Sequence, residues 1–185
     1  MKKLFVLGLV LVMSMSLAAC LPGDGNGGDV WEDYSGEHFG FKYPEEWSVI
    51  DKEEEEYIYR AVVGDTETED DMEEGFTVSY DSKQENVDEE EWENQLKEVE
   101  DEDDKTLEFG EFEGEIIDFE EYNIDGYSAV DIKVEGEEGG DSYYLNFIFL
   151  YKEDDEQVYQ IAYIGIEDKY NEEMKEDIID SFEVN

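Results

Sequence analysis

The segment Tyr143–Tyr151 reads YYLNFIFLY and carries apolar side chains on both sides of an extended backbone. Side chains alternate between the two faces of a β-strand, so each face can be considered separately. One face would carry Tyr143, Leu145, Phe147, Phe149 and Tyr151, and the other Tyr144, Ile148 and Leu150. A strand that is apolar on both faces is typical of a sheet covered on both sides. The segment therefore predicts a strand inside a sheet with a layer against each face.

Further long strands surround this segment in the C-terminal half of the chain. The pattern predicts strands over 112–124, 127–135, 142–152 and 156–166. Their links are short and turn-like, such as Asp125-Gly126, and strands joined in this way pair antiparallel. Shorter strands are predicted earlier in the chain, at His38–Tyr43, Tyr57–Val63 and Gly75–Asp81.

Two amphipathic segments are predicted to be helices. The first covers Asp88–Asp104, where Asp88 and Glu91 have the spacing of a capping box. Its apolar stripe consists of Trp92, Leu96 and Val99. The second covers Lys169–Ser181, with Tyr170, Met174 and Ile178 on its inner face. One helix on each face of the sheet predicts an α+β fold, an antiparallel β-sheet flanked by helices on both faces in an α/β/α sandwich.

Two short motifs at opposite ends of this region resemble those of PsbP-like domains. Gly40–Trp47 reads GFKYPEEW and is similar to the F-x-Y-P-x-x-W opening of that family. Asp177–Phe182 reads DIIDSF and is similar to the family's closing I-x-x-S-F helix end. The resemblance covers about 37–185 and implies an antiparallel sheet between helices and docking to another protein instead of catalysis. Tyr43, Trp47 and Phe182 are expected to mark the core of this PsbP-like domain.

The N-terminal segment is expected to export and anchor the chain. Lys2 and Lys3 precede an apolar run, Leu4–Leu17, which is shorter than the roughly 20 residues that span a bilayer. Leu17-Ala18-Ala19-Cys20 resembles the lipobox of bacterial lipoproteins, in which the cysteine receives lipid and becomes the new N-terminus. We therefore expect a lipoprotein signal peptide over 1–19, lipid attachment at Cys20 and a flexible tether over 20–36. The alternatives are a secreted protein with a free thiol and an uncleaved anchor.

The charge of the chain limits its partners. It has 57 acidic and 12 basic residues, and its net charge is −45. Nucleic acid and anionic lipid head groups carry the same sign of charge and are not expected to bind. Molar salt shortens the screening length to about 3 Å and relieves such self-repulsion. We therefore expect a salt-adapted bacterium, with the protein at its cell membrane, lipid-anchored and facing the outside of the cytoplasm.

The residue types that carry most enzyme chemistry are scarce. His38 is the one histidine and Cys20 the one cysteine, which excludes zinc sites built from several such ligands and most nucleophile–histidine pairs. His38 is expected to be solvated at the start of a strand. No phosphate-binding glycine loop is present. The sequence predicts no catalytic residues and no cofactor, and the chain is interpreted as a noncatalytic binding module that docks an unidentified protein partner.

Two alternatives depend on the abundant carboxylates. Clusters at Glu67–Glu74, Glu100–Asp104 and Glu153–Glu156 could bind divalent cations, with weak Ca²⁺ binding as the expected form. This would make the chain a divalent-cation-binding envelope lipoprotein, although the metal residues are unknown. A weaker alternative is a hydrolase that uses two carboxylates. With 57 acidic residues, the sequence cannot identify such a pair.

Overall fold

The structure is a computed structural model that describes residues 30–54, 58–66, 72–81, 87–100, 106–109, 112–138 and 140–185. Within these ranges the chain forms β-strands and two helices, α1 and α2. The N-terminal elements are β1 Trp31–Ser35, β2 Phe39–Pro44, β3 Ser48–Glu54, β4 Ile58–Gly64, β5 Glu74–Asp81 and α1 Glu89–Glu100. The C-terminal elements are β6 Thr106–Phe109, β7 Phe112–Ile124, β8 Tyr127–Glu138, β9 Asp141–Lys152, β10 Gln157–Ile166, α2 Glu172–Asp180 and β11 Glu183–Val184.

The larger sheet has eight strands in the order β3-β4-β5-β10-β9-β8-β7-β6. Every pair of neighbours is antiparallel. The strand β9 contains YYLNFIFLY and lies between β10 and β8, inside the sheet as its two apolar faces require. The turn between β7 and β8 places Asp125 and Gly126 at positive φ, as a tight hairpin needs.

The smaller sheet, in the order β1-β2-β11, packs on one face of the larger one. Phe39, Phe41 and Tyr43 of β2 enter the same core cluster as Phe76 of β5 and Ile148 of β9. Helix α2 contributes Ile178 and Ile179 to this cluster. The core on this face of the larger sheet is therefore covered by the smaller sheet and by α2 together.

A second core lies on the opposite face of the larger sheet. It contains Tyr143, Leu145 and Phe147 of β9, with side chains of β7, β8 and β10. Helix α1 contributes Trp92, whose ring stacks on Tyr151 at 5.5 Å between centroids. The side chains of Leu96 and Val99, predicted to share this face, lie outside the part of the chain that the structure describes.

The predicted α/β/α sandwich is wrong, because the fold is mostly β. Sheet β1-β2-β11 covers much of the face assigned to a helix, and the two helices have only 12 and 9 residues. The alternation of His38–Tyr43 correctly indicated a strand but not which sheet it joins. Its partner β1, Trp31–Ser35, falls inside the predicted tether 20–36, so the smaller sheet was not expected.

Three aromatic residues of the quoted motifs lie in the core, as predicted. Tyr43 is 6%, Trp47 5% and Phe182 2% exposed. The N-terminal predictions, signal peptide 1–19 and lipid attachment at Cys20, lie outside the described residues and remain predictions. Across the described ranges, neither helix is long and apolar enough to cross a membrane.

Candidate functional site

A polar cluster lies between the larger sheet and the start of helix α2. It consists of Asp131 and Lys133 of β8, Asn146 of β9, Tyr170 before α2, and Glu172 and Lys175 of α2. The strand register brings these together, because Asn146 lies opposite both Lys133 of β8 and Tyr163 of β10. Polar residues on a face that is otherwise apolar must satisfy one another's hydrogen-bonding groups.

The centre of the polar cluster is a buried ion pair. Lys175 Nζ lies 2.9 Å from Asp131 Oδ2, and the two residues are 8% and 7% exposed. The Asn146 side-chain amide donates to both oxygens of Asp131, at 2.7 and 2.9 Å. Burial lowers the pKa of Lys175, but hydrogen bonds and charge from Glu172 and Asp131 outweigh it and raise the pKa overall. Lys175 therefore stays protonated, and its contact with Asp131 joins α2 to β8.

Glu172 is the second anion of the polar cluster. Its carboxylate accepts from Lys133 Nζ at 2.6 Å and from the Tyr170 hydroxyl at 2.8 Å, and it also pairs with Lys175. Burial raises the pKa of Glu172, but these hydrogen bonds lower it by more. The pKa of Glu172 therefore falls to about 2. As an acid in the first turn of α2, Glu172 also favours the helix dipole.

The outer side of the polar cluster is a half-exposed aromatic surface. The rings of Tyr144 and Tyr170 lie 5.2 Å apart, and Lys133 Nζ lies 5.5 Å and 4.5 Å from their respective centroids. Tyr170 is brought here by a close approach to Gly165, where an added Cβ would lie 2.8 Å from Tyr170 Cα. We call Tyr144, Tyr170 and Lys133 the aromatic patch.

A neighbouring group connects β5 to the start of α2. The Tyr163 hydroxyl contacts the Glu74 carboxyl group and lies 3.2 Å from the Asn171 carbonyl oxygen. Burial raises the pKa of Glu74 to about 7, a shift that hydrogen bonds from Tyr163 and the Asn171 backbone oppose and the charge of Asp65 increases. We call Glu74, Tyr163 and Asn171 the Glu74 group.

Lys169 forms two ion pairs close to the Glu74 group. Its Nζ lies 2.6 Å from Glu73 Oε2 and 3.1 Å from Asp65 Oδ2. Asp65 in turn accepts from the backbone N–H groups of Glu73 and Glu74. Lys169 therefore joins the loop before α2 to the ends of β4 and β5. Lys133, Lys169 and Lys175 are three of the 12 basic residues in the chain, and each forms an ion pair with at least one acid here.

The structure corrects the expectation that His38 is solvated. Its ring lies 3.9 Å from that of Tyr59 and 5.0 Å from that of Tyr80, between centroids. Its Nε2 atom is buried without a hydrogen-bond partner among the described residues. The residue lies just before β2 and faces the larger sheet, a placement that depends on the unexpected smaller sheet.

The predicted cation clusters are only partly described. Residues 67–71 and 101–104 lie outside the described ranges, as does the side chain of Glu100. Glu73 pairs with Lys169, and Glu74 is buried against Tyr163. Glu153, Asp154 and Glu156 are exposed in and beside a short 3-10 turn. Within the described part of the chain, no group of three or more histidine, cysteine or acidic residues could hold a metal ion.

The sequence patterns did not indicate the polar cluster or the Glu74 group. The available signal was a polar residue on a predicted inner face, as at Asn146 within YYLNFIFLY and Asp131 within β8. Neither signal identifies its partner, because Lys175 is 44 positions from Asp131. In a chain with 57 acidic residues, a buried acid is also hard to distinguish from a solvated one.

Comparison with known proteins finds structural likeness but no family. No family model and no curated protein match the chain, so the PsbP-like resemblance stays a prediction. A protein from Bacteroides thetaiotaomicron is structurally similar, with a TM-score of 0.54 and 13% identity over 83% of this chain. The match covers 48% of that protein, so the chain spans about half its length. At this identity the likeness concerns the fold alone.

Two other solved structures are more distant. LpqN, which is involved in cell envelope biogenesis of Mycobacterium tuberculosis, aligns with a TM-score of 0.44 and 10% identity, over 85% of this chain and 87% of LpqN. A protein of unknown function from Pseudomonas aeruginosa aligns with a TM-score of 0.36 and 14% identity, over 75% of this chain and 84% of its own.

Proposed function

We propose that this chain is a noncatalytic binding module, held by lipid on Cys20 at the outer face of a bacterial membrane, that docks another protein. The observation that carries the proposal is Leu17-Ala18-Ala19-Cys20 after a short apolar run, in a chain with no second cysteine. Two acyl chains bind a membrane stably, whereas one binds only marginally. A diacylglyceryl group on Cys20 would therefore keep the domain at the membrane surface.

The aromatic patch is the part of the described surface that best suits docking. Tyrosine is enriched at protein interfaces, because it offers a large apolar ring with a polar end. Tyr144 and Tyr170 are only half-buried, and the lysine over their rings is itself held by Glu172. The polar cluster beneath them fixes both α2 and Lys133, which gives the patch a rigid base.

The charge of the chain selects the kind of partner. With 57 acidic residues against 12 basic ones, the domain would attract a protein surface rich in lysine and arginine. Exposed acids such as Glu135 and Glu167 lie close enough to Tyr144 to raise its pKa, so negative charge surrounds the patch. We therefore propose a basic protein surface as the partner, with the tyrosine rings at the centre of the contact.

Position-specific photo-crosslinking in intact cells tests this docking. A photoreactive phenylalanine replaces Tyr144 in one variant and Tyr127 in a matched control. Tyr127 is also half-buried, but it lies beside the β7–β8 turn at the opposite end of the sheet. We expect a reproducible crosslinked species from position 144 and little or none from 127. Equal yields would contradict the choice of surface, and no crosslink at either position would contradict docking.

A further inference from the structure

The chain enters the folded domain at the end of the smaller sheet where β1 begins. Val30 is the first described residue, and its carbonyl oxygen accepts from the Glu45 N–H at 2.9 Å. Trp31, the first residue of β1, lies opposite Pro44, the last residue of β2. The segment that leads back to Cys20 therefore joins the domain beside the end of β2.

Short contacts connect this point of entry to the aromatic patch. The Trp47 N–H donates to the Pro44 carbonyl oxygen at 2.9 Å, and the Trp47 ring stacks on Tyr163 at 6.3 Å between centroids. The Tyr163 ring lies 5.6 Å from that of Tyr170, which lies 5.2 Å from that of Tyr144. The start of β1 and the aromatic patch therefore share one end of the domain, which we call the entry end.

The opposite end of the domain is distant from this entry. Strand β9 covers 12 residues, Asp141–Lys152, and spans roughly 36 Å at about 3.3 Å per residue. It runs from the entry end to the short turn Glu153–Asp155. The smaller sheet follows the same axis, because His38, just before β2, contacts Tyr80 near the end of β5, whereas Trp47 lies at the entry end. The domain therefore has an entry end and a far end.

We propose that this arrangement turns the aromatic patch towards the membrane, so that the basic protein docked there is itself held at the same membrane. The proposal rests on the proposed function, because it needs both the lipid on Cys20 and the docked protein. Ten residues of chain lead from Cys20 to Val30 and reach at most about 36 Å. The entry end cannot lie further than this from the bilayer surface, whereas the far end can lie roughly 36 Å beyond it.

The charge of the entry end favours a protein over lipid as the occupant of the patch. The negative charges of Glu135 and Glu167 lie close enough to Tyr144 to raise its pKa, and the whole chain has 57 acidic against 12 basic residues. Anionic head groups are repelled by such a surface, whereas a basic protein surface is attracted. Confinement of both proteins to one membrane also raises the effective concentration at which they meet.

Energy transfer to the bilayer tests the orientation without a partner. The lipidated full chain is bound to phosphatidylcholine vesicles that carry an acceptor dye on their head groups. Glu167→Cys places a donor dye at the entry end, and Asp154→Cys places it at the far end. Both substitutions remove one exposed acid outside the aromatic patch, and lipid on Cys20 leaves the introduced thiol as the one that reacts. We expect at least about twofold more transfer from position 167, because the two ends are separated by roughly the length of β9.

The outcomes separate the orientation from the proposed function. Equal transfer from both positions of a chain whose intact mass includes the lipid would overturn the orientation alone. A chain without the lipid would overturn the anchoring and the orientation together. For the partner, the protein crosslinked from position 144 is identified and then located in cells that lack this chain. We expect it in the membrane fraction, and its recovery as a soluble protein would overturn the claim that it is held at the membrane.

Discussion

Replacing Lys175 with methionine should be among the most destabilising single changes in this domain. The substitution keeps the length of the side chain but leaves Asp131 with Asn146 as its remaining side-chain partner in the polar cluster. Breaking a buried ion pair by removing one partner typically costs about 3–5 kcal/mol, because the other charge stays buried. For a domain of this size, that loss lowers Tm by roughly 6–20 °C.

The matched control is Lys97→Met. Lys97 also pairs with a glutamate, Glu93, at 3.1 Å, but the two side chains are 63% and 59% exposed. Such a pair contributes about 0.3–0.5 kcal/mol. Urea unfolding of both variants at fixed molar NaCl gives the comparison. Asp131→Asn in the Lys175→Met background should recover part of the loss, because it removes the unpaired buried charge while its side-chain oxygen still accepts from Asn146. Equal free energies of unfolding for the two single variants would mean that the buried Lys175–Asp131 pair contributes no more to stability than the exposed Lys97–Glu93 pair.

Other substitutions test separate parts of the structure. The pKa of Glu74 is about 7 in the folded protein and near 4.5 in the unfolded chain. The contribution of Glu74 to the free energy of unfolding is therefore complete below pH 4.5 and decreases as pH rises towards about 7. Glu74→Gln should therefore gain about 1–3 kcal/mol over the wild type at pH 8 and little at pH 4.5, by chemical denaturation at both values. Gly165→Ala should lose about 1–3 kcal/mol, because its Cβ would lie 2.8 Å from Tyr170 Cα. Trp47→Ala should cost about 3–5 kcal/mol, because Trp47 is 5% exposed and stacks on Tyr163, and an unchanged Tm would contradict its place in the core.

Local patterns predicted the strands of this fold better than its layers. The long C-terminal hairpins follow from alternating side chains and short turns, and β7 has the predicted bounds, Phe112–Ile124. The two apolar faces of Tyr143–Tyr151 correctly required a cover on both sides of the sheet. They do not specify whether that cover is a helix or a second sheet, since both bury apolar surface. The choice depends on β1 and β11, and the five residues of β1 carry two acids and read as polar.

The candidate site was less predictable than the fold, because it depends on contacts between distant positions. Asp131 and Lys175 are each unremarkable in the sequence, and only the packing of α2 on β8 makes them a pair. The same holds for Glu74 and Tyr163, which are 89 positions apart. Sequence patterns indicate which face of an element a residue occupies. They do not indicate which polar residue of another element will form hydrogen bonds with it.

The intact mass of the full chain, expressed in a bacterium that processes lipoproteins, tests the proposed anchoring most directly. We expect a chain that begins at Cys20 and carries the added mass of a diacylglyceryl group, and a Cys20→Ala control that lacks this mass. A wild-type chain with no added mass, whether cleaved or intact, would contradict the central claim that lipid on Cys20 holds this domain at the membrane.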